Sequence, residues 1–171
     1  MTTQPSPEQS TPHCLAEIES LVGQIIQHGG FNLKPTLRKN DNAEKGPDAP
    51  GVVVDFEGPD SDLLLERNAA LLDAIEYVVL KAVHVGDELY GRISFDCKDW
   101  RQVRTEELKL TAAMAARQAI ETGTPFSLTP MSSRERRIVH LALKDEAAVN
   151  TISEGSGPSR KVVIYPAPSP S

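Results

Sequence analysis

The feature that most constrains this fold is how often the apolar residues change their spacing. Leu15, Ile18, Leu21, Val22, Ile25 and Ile26 recur at helical spacing, and Gly29 and Gly30 close that run. "FNLKPTLRK" and "GVVVDFEG" then read as strands joined by the loop "NDNAEKGPDAP", with Pro35 placing the first at a sheet edge or a bulge. Helical spacing returns in Leu71, Leu72, Ile75, Val78, Val79 and Ala82, behind a cap at Asp60 or Asp62, as one helix or as two broken near Glu66 to Ala69. Two-residue alternation follows, setting Leu89, Gly91, Ile93, Phe95 and Cys97 against Tyr90, Arg92, Ser94 and Asp96. Each change of period ends an element. The order helix, strand, strand, helix or broken helix, strand predicts a small α+β unit.

A second unit follows. "DWRQVRTEELKLTAAMAARQAIETG" predicts a long Ala-rich helix ending at Gly123, "PFSLTP" a short strand, "MSSRERRIVHLALKD" a helix, and "NTISEGSGPSRKVVIYP" a β-hairpin. Residues 1–12 and 167–171 are polar and rich in Pro and Ser, and are predicted to be disordered tails. The 171 residues, 39% of them hydrophobic, suffice for one ordinary domain or two small ones. No repeat at a fixed period is present, so a solenoid is not indicated.

Charge is unevenly divided. The net charge of −6 argues at first against a polyanionic partner. Yet residues 1–100 hold 8 Lys+Arg against 17 Asp+Glu, a balance of −9, while residues 101–171 hold 10 against 7, a balance of +3. Such asymmetry points the C-terminal part towards anions. Neither a leader-like N-terminus nor an apolar run of the roughly 18 to 20 residues needed to cross a bilayer is found, so a soluble, cytoplasmic chain without direct membrane insertion is expected. Cys14 and Cys97 lie far apart, with no second Cys or His at ligand spacing, and read as plain thiols.

The basic part contains a particular helix. Ser132 and Glu135 form an S-x-x-E capping box directly after Pro130 and Met131, fixing where the helix starts. In that register Ile138, Leu141 and Ala142 share a packing face, while Arg136, His140, Lys144 and Arg137 fall within an arc of about 100°. Cations crowded at a helix N-terminus cost roughly 0.3 to 1 kcal/mol each unless an anion offsets them. Arg136 and His140 are four apart and reach one ligand together, the guanidinium suiting phosphate oxygens and the imidazole able to donate a hydrogen bond or to stack. The hairpin turn adds Ser153, Arg160, Lys161 and backbone N–H groups, all good phosphate contacts. Arg101 and Arg104 are secondary candidates for the same basic surface. Trp100 beside them is expected at the joint between the two units, with base stacking as the alternative.

The run "TPFSLTPMSSRERRIVHLALKDEAAVNTISEGSGPSRKVVIYP" resembles the R-x-x-x-H single-stranded nucleic-acid-binding domain of the bacterial Jag family, in its P-M-x-x-x-E-R-R-x-x-H helix and its T-x-S-x-G hairpin. "DCKDWRQVRTEELKLTAAMAARQA" is similar to that family's linking helix, and the likeness spans roughly residues 60–165. The resemblance implies a three-stranded sheet with two helices presenting Arg136 and His140, preceded by a KH-like domain. The expected division is a KH-like α/β unit over 13–98 and an R-x-x-x-H domain over 99–166, without the family's N-terminal Jag domain. A KH fold grips the nucleic-acid backbone with a G-x-x-G loop. At that place this chain has Glu66, Arg67, Asn68 and Ala69, with neither glycine and with a carboxylate near the phosphate path.

Three functions compete. The leading expectation is a non-catalytic protein binding single-stranded RNA or DNA, mainly through the second unit. The rival is an adaptor whose KH-like unit docks a protein, such as another KH protein. An enzyme is the weakest, because no second acid or base, metal cluster or Gly-rich Lys motif accompanies Arg136 and His140; no cofactor, metal or catalytic residue is expected.

Overall fold

The computed structural model describes residues 7–39, 50–86 and 91–167, and the chain divides into two compact units after Trp100. The first contains α1 (Pro7–Gly29), β1 (Lys34–Lys39), β2 (Val52–Glu57), α2 (Ser61–Ala82) and β3 (Ile93–Asp96). The strands form one sheet in the order β1-β2-β3, antiparallel between β1 and β2 and parallel between β2 and β3. The second contains α3 (Trp100–Thr122), whose first residue belongs to the first unit, then β4 (Phe126–Ser127), α4 (Ser133–Ala142), β5 (Val149–Glu154) and β6 (Lys161–Pro166). Its sheet runs β4-β6-β5 and is antiparallel throughout. This is the α+β class expected, with both element orders as read from the residues.

The helical spacing of α1 buries Ile18, Val22 and Ile26 against Val54, Phe56, Leu64, Leu72, Val79 and Phe95. Each such side chain contributes roughly 1.5–3 kcal/mol relative to exposure. Gly30, at φ +70°, ends the helix, and the N–H of Phe31 returns to the Ile26 carbonyl at 3.1 Å. Pro35 stands on β1, which pairs only with β2 among the described strands, so the missing donor lies on an edge strand. On the opposite edge strand, β3, a carboxylate oxygen of Glu76 accepts from the Phe95 N–H at 2.8 Å.

Several expectations change. The helix begins at Pro7, so residues 7–12 of the predicted tail are helical; residues 1–6 and 168–171 lie outside the described residues. So do positions 40–49 of the expected loop and Glu88 to Tyr90 of the expected third strand. Ser94 is buried together with Ile93 and Phe95, so β3 is covered on both faces rather than one. The Asp60 side chain does not cap α2, because it accepts from the Asn32 N–H at 2.6 Å instead. Trp100 packs against the core of the first unit. Burial pushes the thiols of Cys14 and Cys97 above the ordinary range, which keeps them unreactive.

The predicted break in α2 is present. Glu66 is extended (ψ 149°), and Arg67, Asn68 and Ala69 are left-handed at φ 51°, 60° and 59°. Two helices meet there. Leu64 and Leu72 on either side, and the Ala69 methyl itself, are fully buried.

Candidate nucleic-acid interface

The capping box is formed as the sequence requires. Ser132 Oγ accepts from the Glu135 N–H at 3.3 Å, and Glu135 Oε2 accepts from the Ser132 N–H at 2.8 Å. The other oxygen of Glu135 receives Arg104 Nε at 2.8 Å, and Arg104 also reaches Glu107 at 3.2 Å. Burial lowers the Arg104 pKa, but the bonds to Glu135 and Glu107 outweigh it and hold the group above its ordinary value. Arg104 is therefore a structural cation anchoring α3 to the start of α4, not the surface contact expected. Glu135 is also part of the answer to the cation crowding at this terminus, since its charge lies inside the first turn.

Val139 and Leu143 are the buried residues of the α4 segment, with Ile138 packed against the same core. Leu141 is half exposed and Ala142 exposed, so the packing stripe is rotated from the one expected. Arg136 and His140 flank the buried stripe and are half-buried, whereas Arg137 and Lys144 are exposed farther round.

Half-burial shapes both groups. An Nη2 hydrogen of Arg136 goes to Ser133 Oγ at 2.7 Å, and its Nε is buried with no partner among the described residues. An unmet buried donor costs about 1–3 kcal/mol. The imidazole of His140 is held at both nitrogens, Nδ1 at 2.6 Å from Thr151 Oγ1 and Nε2 at 2.9 Å from Ser153 Oγ. Burial, and then the neighbouring Arg136 charge, push its pKa below the ordinary imidazole value, so the ring is neutral at pH 7. One nitrogen donates and the other accepts. Donation from His140 to a ligand, as expected from spacing, is consumed inside the protein; the ring acts as a fixed brace between α4 and β5.

Ser133, Arg136, Arg137, His140, Leu141 and Ser153 line one open pocket of about 350 Å³. It gathers four of the nine expected contact residues. Lys144 is exposed on the last turn beyond α4; Arg160 is exposed beyond the short 3-10 turn Gly157–Ser159; Lys161 is half-buried opposite Glu154 on the hairpin; and Arg101 is half-buried on the first turn of α3. Ser133, Leu141 and Thr151 were not singled out by sequence. Thr151 had a signal: it stands two residues before Ser153 on the same face of a strand. Ser133 precedes Arg136 by three, on the same helix face. Leu141 carried no chemical signal. In the first unit, Glu66, Arg67 and Asn68 are exposed at the break and Ala69 is buried.

With this geometry in view, the comparisons with known proteins are specific. Residues 106–166 match the family of R-x-x-x-H domains, whose signature arginine and histidine fall here on Arg136 and His140. The whole of the pocket lies inside that span. The chain is also 34% identical over 111 residues to the "RNA-binding protein KhpB" of Clostridium symbiosum, covering 65% of this chain and 50% of the relative. The protein of that name from Bacillus subtilis is 31% identical over 109 residues, or 63% of this chain and 52% of the relative. The one from Streptococcus pneumoniae is 32% identical over 170 residues, or 92% of this chain and 44% of the relative. The chain thus spans about half the length of these relatives. No helix among the described residues is long and apolar enough to cross a membrane.

Proposed function

We propose that the chain is a non-catalytic cytoplasmic protein that binds single-stranded RNA through the pocket between α4 and β5. The observation that carries this reading is the incompletely bonded Arg136 guanidinium beside a braced, neutral His140, in a pocket also lined by Arg137 and Ser153. A phosphate oxygen satisfies guanidinium donors with charge-assisted bonds, and the hydroxyl of Ser153, fixed by His140, offers a second polar contact to the sugar-phosphate chain. Arg137 and Lys144 extend the path by long-range attraction. The names of the relatives agree with this reading.

The first unit is read as KH-like from its element order and from the left-handed turn standing where the glycine-rich loop would be. A second reading has this unit dock a protein, another KH protein being one such partner. It is favoured by the exposed Glu66 carboxylate in a loop without glycines.

Fluorescence anisotropy with single-stranded oligonucleotides of about ten nucleotides, across a salt series, separates the readings. Arg136→Ala is expected to cost about 1.5–3 kcal/mol, roughly ten- to a hundredfold in Kd, and to reduce the salt slope by about 0.7. Equal binding and equal slope for wild type and variant would overturn the assigned site. Absence of salt-dependent binding by the wild type would leave the adaptor reading in its place.

A further inference from the structure

The helix α3 is built with its small residues inward and its large ones outward. Leu108, Ala112, Ala115, Ala116 and Ala119 are its buried residues, and the four alanines let the sheet and α4 approach closely. On the opposite side Val103, Leu110 and Met114 are 51%, 68% and 73% exposed. At about 100° per residue these three fall within an arc of roughly 40°, and Glu107, Arg117 and Glu121 continue the same stripe. An apolar stripe exposed to this degree on a helix that has already buried its other face calls for a partner.

The order of charges along the stripe names that partner. Val103, Glu107, Leu110, Met114, Arg117 and Glu121 follow the alternating four- and three-residue spacing of a coiled-coil seam. If two copies run parallel, Glu107 meets Glu107, Arg117 meets Arg117 and Glu121 meets Glu121. If they run antiparallel about Ala112, Leu110 of one copy meets Met114 of the other, twice, and each of these apolar layers is bounded by a Glu107–Arg117 pair. Val103 then covers the aliphatic stem of Glu121. Charge therefore selects one orientation and one register.

We propose that this protein self-associates through α3 as an antiparallel pair, with Leu110 and Met114 as the apolar centre and Glu107–Arg117 contacts on both sides. The surface is separate from the pocket that lines α4, so the association does not depend on the proposed RNA contact. Two-fold symmetry makes the contact closed, and a dimer is its end point.

Light scattering at a protein concentration of roughly 200 µM, well above the micromolar Kd that a small interface gives, should return twice the mass of the chain. Met114→Glu and Arg117→Glu should each return the monomer mass, with circular dichroism unchanged because both residues are exposed. Adding Glu107→Arg to Arg117→Glu reverses the charge pair and should restore the dimer. In an oxidised sample, Leu110→Cys with Met114→Cys should crosslink two chains, while Leu110→Cys alone should not. A monomeric wild type would overturn the proposal, and so would a dimer indifferent to Met114→Glu. Efficient crosslinking by Leu110→Cys alone would overturn the antiparallel register.

Discussion

Two turns in this molecule use left-handed backbone, and they meet its cost in different ways. In the β5–β6 hairpin, Gly155 and Gly157 supply φ +85° and +52°, conformations that glycine adopts readily. A Cβ at Gly155 would sit 3.0 Å from the Ser159 carbonyl oxygen, so the turn also needs a residue without one. In the break of α2, Arg67, Asn68 and Ala69 adopt the same region with side chains in place. Left-handed backbone at a residue other than glycine costs of order 1 kcal/mol or more. The break persists because Leu64, Ala69 and Leu72 are anchored in the core around it. A turn beside the candidate interface is therefore relaxed, whereas one on the first unit stores strain. Rigid positioning of Ser153 depends on the former; the shape of the α2 loop is imposed by packing.

The contrast breaks most sharply at Gly155. Gly155→Val forces a β-branched side chain into positive φ and into the Ser159 carbonyl, and is expected to destabilise the second unit by about 2–3 kcal/mol in urea denaturation. Arg67→Gly should do the reverse in the first unit, raising its stability by about 1 kcal/mol, since the exposed side chain is replaced by one that tolerates φ 51°. A loss on that substitution would mean that the loop is not strained. The smallest effect concerns acidity. The folded pKa of His140 lies below its unfolded value of about 6.5, so the native state binds fewer protons and the second unit loses stability as pH falls below that value. Asp55 in the first unit has the opposite sign. Burial raises its carboxyl, with Arg38 opposing and Asp96, Glu57 and Asp99 adding, so the native state binds more protons and stability falls as pH rises above about 3.8. Unit-specific tryptophan and amide signals followed through a pH series should show the two trends diverging.

Much of this was legible in the residues. The capping box, the break at Glu66 to Ala69, the hairpin and the edge position of Pro35 each follow from local chemistry confined to a few neighbouring positions. What failed was tertiary. Arg104 looks like any surface cation until Glu135, 31 positions away, is brought to it. The α4 stripe was misplaced because the helix ends at Ala142, and Leu143, just beyond it, supplies the apolar group that a longer helix would have taken from Leu141. Periodicity also placed His140 on the basic arc without revealing that two hydroxyls on β5 would claim both ring nitrogens. The expected six-residue strand "PFSLTP" pairs over two residues, because prolines bound it and leave few donors for a ladder.

The carboxylate that Glu76 places on the Phe95 N–H has a bearing on how this protein avoids unwanted assembly. A strand arriving from another molecule must find open donors along β3, and this one is already taken by a charged acceptor that would have to be stripped away and left in a dry interface. Growth of the first sheet into a continuous intermolecular ribbon is thereby discouraged, and encounters between copies are steered towards helical surfaces.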